Sequence, residues 1–290
     1  MRAATAVALT ALLVTTVGCS SSNSASSLTV VTSTTVLADF VHQVGGERVS
    51  VTALVPKGGD VHTFDPSASE ATAVSRAGLI VMNGLGLDDW LVSFAQEVGA
   101  GDTPDVQLAV DLPGVDYIDS NPHLWMDAAY AAKYVERIRQ KLIEIDPDGR
   151  EVFDSNAVRY EQQLRVLDDW ARAQLATIPA DERRVVSFHD AFPYFAAAYD
   201  LEMVGVLVES PGQDPSPAAI ARVIDAIRQS GVKVILAEAQ FGDQLAQTIS
   251  DETGVTVVND LYTDTLGDAP VDTYDGALRW DVEQITNALQ

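Results

Sequence analysis

The longest unbroken helical signal constrains the architecture most. Residues 152–178 contain neither proline nor glycine, and Pro179 ends the run. Val158 is an early apolar residue in it. From Leu164 onward the apolar positions Leu164, Leu167, Ala171, Leu175 and Ile178 recur every three or four residues, the period of one helix face. Such a helix exceeds the three or four turns usual in globular proteins. Short apolar runs alternate with amphipathic stretches on both sides of it. A long helix between two such sets acts as a rigid connector.

Before it, strands are expected at 28–31, 49–55, 79–82 and 106–110, with helices at 37–44, 67–76, 88–98 and 127–145. After it, strands are expected at 185–188, 203–208, 232–236 and 255–258. Helices are expected at 192–199, 217–229, 244–252 and 273–289. Pro217 and Gly231 are a fitting start and stop for one of these. Strand–helix alternation predicts mostly parallel sheets. The expected fold is therefore α/β: two βα lobes, 28–150 and 179–290, joined by a single linker helix at 151–178.

Hydrophobic residues make up 47% of the 290, which supports a packed core, and the formal net charge is -24. Charge of that sign repels nucleic acid and anionic membrane surfaces, so neither is an expected partner. It attracts small cations, although its first consequence is solubility.

The start of the chain reads as a targeting segment. Met1-Arg2 precedes an uncharged apolar run at 3–17, too short to span a bilayer. Thr16-Val17-Gly18-Cys19, followed by a serine-rich stretch at 20–27, resembles a bacterial lipobox, with Thr16 where an aliphatic residue is usual. The expectation is a signal peptide at 1–18, lipid on Cys19, and a tether at 19–27. Cys19 is the only cysteine, so neither an internal disulfide nor a thiolate metal site is available.

Only four histidines are present. His42 falls inside a helix. His62 follows the Gly58-Gly59 break, His123 follows Asn121-Pro122, and His189 follows the strand at 185–188. Imidazole suits zinc and its neighbours. In open α/β sheets, ligands bind beyond the carboxyl ends of strands. Two of these histidines belong to the first half and one to the second, and a fourth donor from the second half would complete a tetrahedron. Asp264 is the best candidate, with Asp260 and Asp268 as competitors on spacing. Trp90, Trp125, Trp170 and Trp280 read as packing anchors.

Four ordered motifs carry a family resemblance. They are Gly59-Asp60-Val61-His62-Thr63-Phe64-Asp65-Pro66-Ser67, Asn121-Pro122-His123-Leu124-Trp125-Met126-Asp127, Ser187-Phe188-His189-Asp190-Ala191-Phe192-Pro193, and Leu261-Tyr262-Thr263-Asp264-Thr265. The chain resembles the zinc- and manganese-binding receptors of bacterial metal ABC importers, the group with a rigid linker helix. That resemblance implies a metal site in the interlobe cleft, with His62, His123, His189 and Asp264 as ligands. It also implies an extracytoplasmic, membrane-anchored monomer that passes its ion to an ABC transporter permease without catalysing a reaction.

Manganese-preferring members tend to carry Glu where this chain has His189, which favours Zn2+, with Mn2+ as the alternative. The segment 99–120 lacks the His-rich loop of many zinc receptors. Glu238 lies in Ala237-Glu238-Ala239-Gln240, where the family usually has Glu-Pro-Gln. Glu238, Asp60 and Asp190 are candidates to support ligands from behind, and Glu238 serves equally well as a loop-ordering group. The competing readings are a zinc hydrolase, with Asp264 as base rather than ligand, and a surface adhesin.

Overall fold

The computed structural model describes residues 27–290 apart from 209, 213–214 and 242–243. The expected signal peptide, the lipidation site Cys19 and all of the tether but Ser27 lie outside the described residues.

Runs that are apolar at consecutive positions become strands covered on both faces, as parallel sheets require. All four residues of Leu79–Met82 and all five of Val234–Glu238 are buried. The first sheet contains β1 (Leu28–Thr32), β2 (Val49–Ala53), β3 (Leu79–Met82) and β4 (Asp105–Gln107), in the order β2-β1-β3-β4. The second contains β5 (Arg184–His189), β6 (Glu202–Val208), β7 (Val234–Glu238) and β8 (Thr256–Leu261), in the order β6-β5-β7-β8. Every pairing is parallel. The helices are α1 (Thr35–Gly45), α2 (Ala68–Ser75), α3 (Trp90–Glu97), α4 (Ala128–Ile145), α5 (Arg150–Leu175), α6 (Pro193–Tyr199), α7 (Pro217–Ser230), α8 (Gln244–Thr253) and α9 (Tyr274–Leu289).

The molecule is thus the expected α/β fold of two lobes with α5 as the long linker. Its buried stripe is Phe153, Ala157, Tyr160, Leu164, Leu167, Ala171 and Leu175. That spacing of four and three is one helix face. Val158, off the stripe, is exposed. The helix ends earlier than the proline-free run suggested. Thr177 N and Ile178 N bond the carbonyls of Gln174 and Leu175, a tighter winding than the α-helix. Pro179 disfavours helical geometry in the residue before it.

Other boundaries also move. The strand expected at 106–110 is only Asp105–Gln107. Beyond it, one Arg137 nitrogen takes the carbonyls of Gln107, Leu108 and Val110, which caps that edge of the sheet. His189 and Glu238, expected just past their strands, are the last residues of β5 and β7.

The lobes share one apolar core. Phe40 of α1 sits at the junction, fully buried, with ring-centroid distances of 6.2 Å to Tyr134, 6.3 Å to Tyr160 and 4.8 Å to Tyr274. Polar bonds reinforce the junction: Leu266 N donates to Thr35 Oγ1 at 2.7 Å, and Tyr274 N to Asp39 Oδ2 at 2.9 Å. Phe40→Ala is expected to lower stability by about 3–5 kcal/mol through the cavity it leaves. Denaturant unfolding of the metal-free protein measures this, and a loss under about 1 kcal/mol would show that the junction carries little of the fold.

Candidate metal centre

The candidate ligands lie at or beyond the carboxyl ends of strands from both sheets, His62 and His123 after strands of the first and His189 and Asp264 at or after strands of the second. The loop after β2, where Leu54 N and Val55 N still bond Thr32 O and Ser33 O, leads to His62. Asp60 turns that loop: its Oδ1 accepts from His62 N at 2.9 Å, and its Oδ2 accepts from Thr63 Oγ1. His123 opens a short 3-10 turn before α4. His189 ends β5, and Asp264 lies three residues beyond β8.

These four side chains converge, with one donor atom from each within 4.8 Å of the others. Asp264 Oδ2 is 3.4 Å from His62 Nε2 and 3.8 Å from His189 Nε2, and its Oδ1 is 3.3 Å from His123 Nε2. The Nε2 atoms of His123 and His189 are 3.2 Å apart. A tetrahedral zinc ion with bonds of about 2.0–2.1 Å requires donor–donor edges of about 3.3 Å. Both Asp264 oxygens and His62 Nε2 are buried without an aligned hydrogen bond among the described residues. Buried polar atoms left so are expensive unless a cation satisfies them.

The competitors of Asp264 are engaged elsewhere. Asp260 is in β8, its carbonyl accepting from Trp280 Nε1, and the exposed Asp268 pairs with Lys57. His42 is exposed on α1, outside the cluster. Trp125 is buried with its ring centroid 5.3 Å from that of His123, and its Nε1 donates to Thr263 O across the cleft. Trp90 packs on Phe64, and Trp170 lies under Arg279. Glu238 Oε1 lies 2.5 Å from His189 Nδ1, a contact that orients the ring and directs Nε2 into the cluster. Asp190 Oδ2 accepts from Asn121 Nδ2. In the sequence Asn121 stands out only as part of a motif. Its position two residues before a histidine was the available signal, since Asn side chains commonly bond the backbone two residues on.

A family profile described as "Zinc-uptake complex component A periplasmic" (ZnuA) matches residues 30–288. The chain belongs to this family. Among curated relatives, the manganese-binding lipoprotein MntA of Halalkalibacterium halodurans is 33% identical over 265 residues, spanning 90% of this chain and 88% of that protein. The iron-binding protein YfeA of Yersinia pestis is 30% identical, spanning 92% and 88%. The solved structure of the periplasmic zinc-binding protein TroA from Treponema pallidum superposes with a TM-score of 0.83 at 25% identity, over 91% of this chain and 99% of that one. The manganese-bound S38A mutant of a periplasmic metal-binding protein from Candidatus Liberibacter asiaticus gives 0.81 at 25% identity, over 91% and 100%. The family consists of metal-binding receptors of ABC importers, and its members bear the names of different metals. Among the described residues, no helix is long and apolar enough to cross a membrane.

The environment separates the ionisation of the two innermost histidines. Burial pushes His123 down to about 4, against the pull of Asp264, so it is neutral at pH 7. Burial acts on His189 in the same direction, but Glu238 and Asp264 together outweigh it and push it up to about 9. Burial disfavours ionised Asp264, yet the three imidazoles hold its carboxyl well below the usual range. Burial raises Glu238, and the His189–Glu238 pair retains a proton at neutral pH.

A histidine with a raised folded pKa stabilises fully below its unfolded value of about 6.5, and that contribution is lost as pH rises through the folded value. The metal-free protein is therefore expected to lose stability between about pH 6.5 and about 9. The loss from His123 lies on the acid side, below about 6.5. Glu238→Gln, which removes the carboxylate charge, is expected to flatten the alkaline limb and to lower the His189 pKa. Thermal melts across that range, with NMR titration of the His189 ring, measure both; an unchanged His189 titration would refute the assignment.

Proposed function

We propose that this chain is an extracytoplasmic receptor, tethered to the membrane by lipid on Cys19 and working as a monomer. It captures a divalent transition-metal ion, zinc in preference to manganese, on His62, His123, His189 and Asp264, and releases it to an ABC importer permease. The observation that carries the reading is the buried three-imidazole, one-carboxylate cluster, whose four donor atoms lie within 4.8 Å of one another, with the carboxylate–imidazole and His123–His189 contacts at 3.2–3.8 Å. Four protein donors saturate tetrahedral zinc and leave no position for an activated water, so the site binds without catalysing. An imidazole-rich set also favours zinc over manganese by the general order of divalent-metal affinities.

One observation favours manganese as a second reading. The two Asp264 oxygens face different histidines, so the carboxylate can chelate through both and raise the coordination number to five. The relative MntA, named for manganese, is in keeping with that arrangement.

Competitive titration with a chromophoric chelator tests the proposal. Zinc is expected to bind more tightly than manganese, and His62→Ala and His189→Ala each to weaken zinc binding by about tenfold or more, roughly the size of losing one good contact. Parent-like affinity in both variants would place the site elsewhere, and manganese displacing zinc at equal concentration would reverse the metal order.

The ionisation of His189 adds a further expectation. Coordination needs its Nε2 without a proton, so zinc binding at pH 7 should release about one proton, and affinity should rise with pH up to about 9. Calorimetry in buffers of different ionisation enthalpy counts that proton. A count near zero would mean that His189 does not ligate.

A further inference from the structure

Asn121 sits between ligand-bearing segments of opposite lobes. Its Oδ1 accepts from His123 N at 3.0 Å and lies 2.9 Å from His123 Nδ1. Its Nδ2 donates to Asp190 O at 2.7 Å and to Asp190 Oδ2 at 3.1 Å. Its backbone carbonyl accepts from Tyr194 Oη at 3.1 Å. The residue is buried, as is His123.

The amide orientation follows from chemistry. Neither a carbonyl nor a carboxylate can donate a proton, so the group facing Asp190 must be the NH2, and the group facing His123 must be the oxygen. An acceptor at Nδ1 requires the proton to sit there. That leaves the Nε2 lone pair of His123 free and aimed at the cluster.

We propose that Asn121 is a positioning residue for metal capture. Its carboxamide fixes His123 in the Nδ1–H tautomer and ties that ligand to Asp190, the residue next to His189 in the other lobe. It thereby sets the spacing between imidazoles from the two lobes before the ion arrives. The inference rests on the reading of His123 and His189 as metal ligands.

It also accounts for why two ligand histidines are supported by different groups. A carboxylate behind His189 draws a proton onto that ring. A neutral carboxamide behind His123 fixes the tautomer without adding charge to a cleft that already holds Asp264 and Glu238.

The test compares the parent with Asn121→Ala in metal-free and zinc-titrated protein. Long-range nitrogen–proton NMR reads the tautomer of His123 without metal, with the His123 signals assigned by their loss in His123→Ala. The parent is expected to show only the Nδ1–H form. Asn121→Ala is expected to show both tautomers and to bind zinc about 10–100-fold more weakly, the usual effect of removing a group that orients a ligand. Unchanged affinity in Asn121→Ala overturns the proposal, and so does weakened binding with the tautomer intact, which would indicate a merely structural role.

Should Asn121→Ala fail to fold, an exchange of groups serves instead. Asn121→Asp sets two carboxylates against each other and should weaken binding about tenfold or more, and adding Asp190→Asn should recover most of the loss. Absence of recovery overturns the tie between the lobes. Parent-like zinc binding by His123→Ala would refute the ligand reading itself, a result distinct from either failure of Asn121.

Discussion

The carboxylate of Asp264 is the constraint on which the cleft is built. It is fully buried, faces three imidazoles and has no aligned hydrogen bond to either oxygen among the described residues. An isolated ion in such a place costs several kcal/mol. The surrounding histidines offset this by supplying positive charge, chiefly through His189, whose pKa is raised to about 9. A divalent cation held by the same donors, as proposed, would offset it further. One buried charge thus both costs the metal-free site stability and favours the proposed capture of a cation.

Such a charge stays buried only if the lobes cannot part easily. Receptors whose lobes meet across small polar interfaces are expected to move by default. Here one apolar core crosses from lobe to lobe, with Phe40 against Tyr274 at its centre and α5 packed along its length. At the cleft itself, Trp125 Nε1 bonds Thr263 O, and Tyr274 Oη bonds Trp125 O at 2.6 Å. Those bonds tie the segment carrying His123 to the segment carrying Asp264. The same indole lies against the His123 ring, with 5.3 Å between the centroids, so the residue that packs on one ligand-bearing segment also bonds the other.

The architecture was legible because its signals are periodic. The stripe from Leu164 to Leu175 and the apolar runs at β3 and β7 follow from packing geometry, and a sequence displays packing geometry directly. Strand ends were less legible. His189 and Glu238 read as loop residues because polar side chains normally stop a strand, yet here their polar ends are used inside the cleft. The partnership of Glu238 with His189 spans 49 positions and leaves no local trace. Asp264 could be separated from Asp260 and Asp268 by spacing only incompletely, since the choice depends on which way the chain turns after β8. Asn121 illustrates the other limit. Its bond to His123 is local and could have been anticipated, while its bond to Asp190 depends on how the lobes dock.

The metal names attached to the relatives differ although the fold does not, and the donor set explains how that can be. Manganese, iron and zinc all accept imidazole and carboxylate ligands, and the affinity order runs toward zinc at nearly any nitrogen-rich site. Discrimination against zinc would have to come from geometry, by holding the donors too far apart for a tetrahedron or by forcing a higher coordination number. The contacts of Asp264 with the three imidazoles and of His123 with His189, at 3.2–3.8 Å, are near the edge of a zinc tetrahedron. On the proposed ligand set, the two Asp264 oxygens, which face different histidines, are the feature through which a larger ion would be accommodated. Selectivity for manganese would require a bond fixing the carboxylate in the chelating orientation, and both of its oxygens lack such a bond among the described residues.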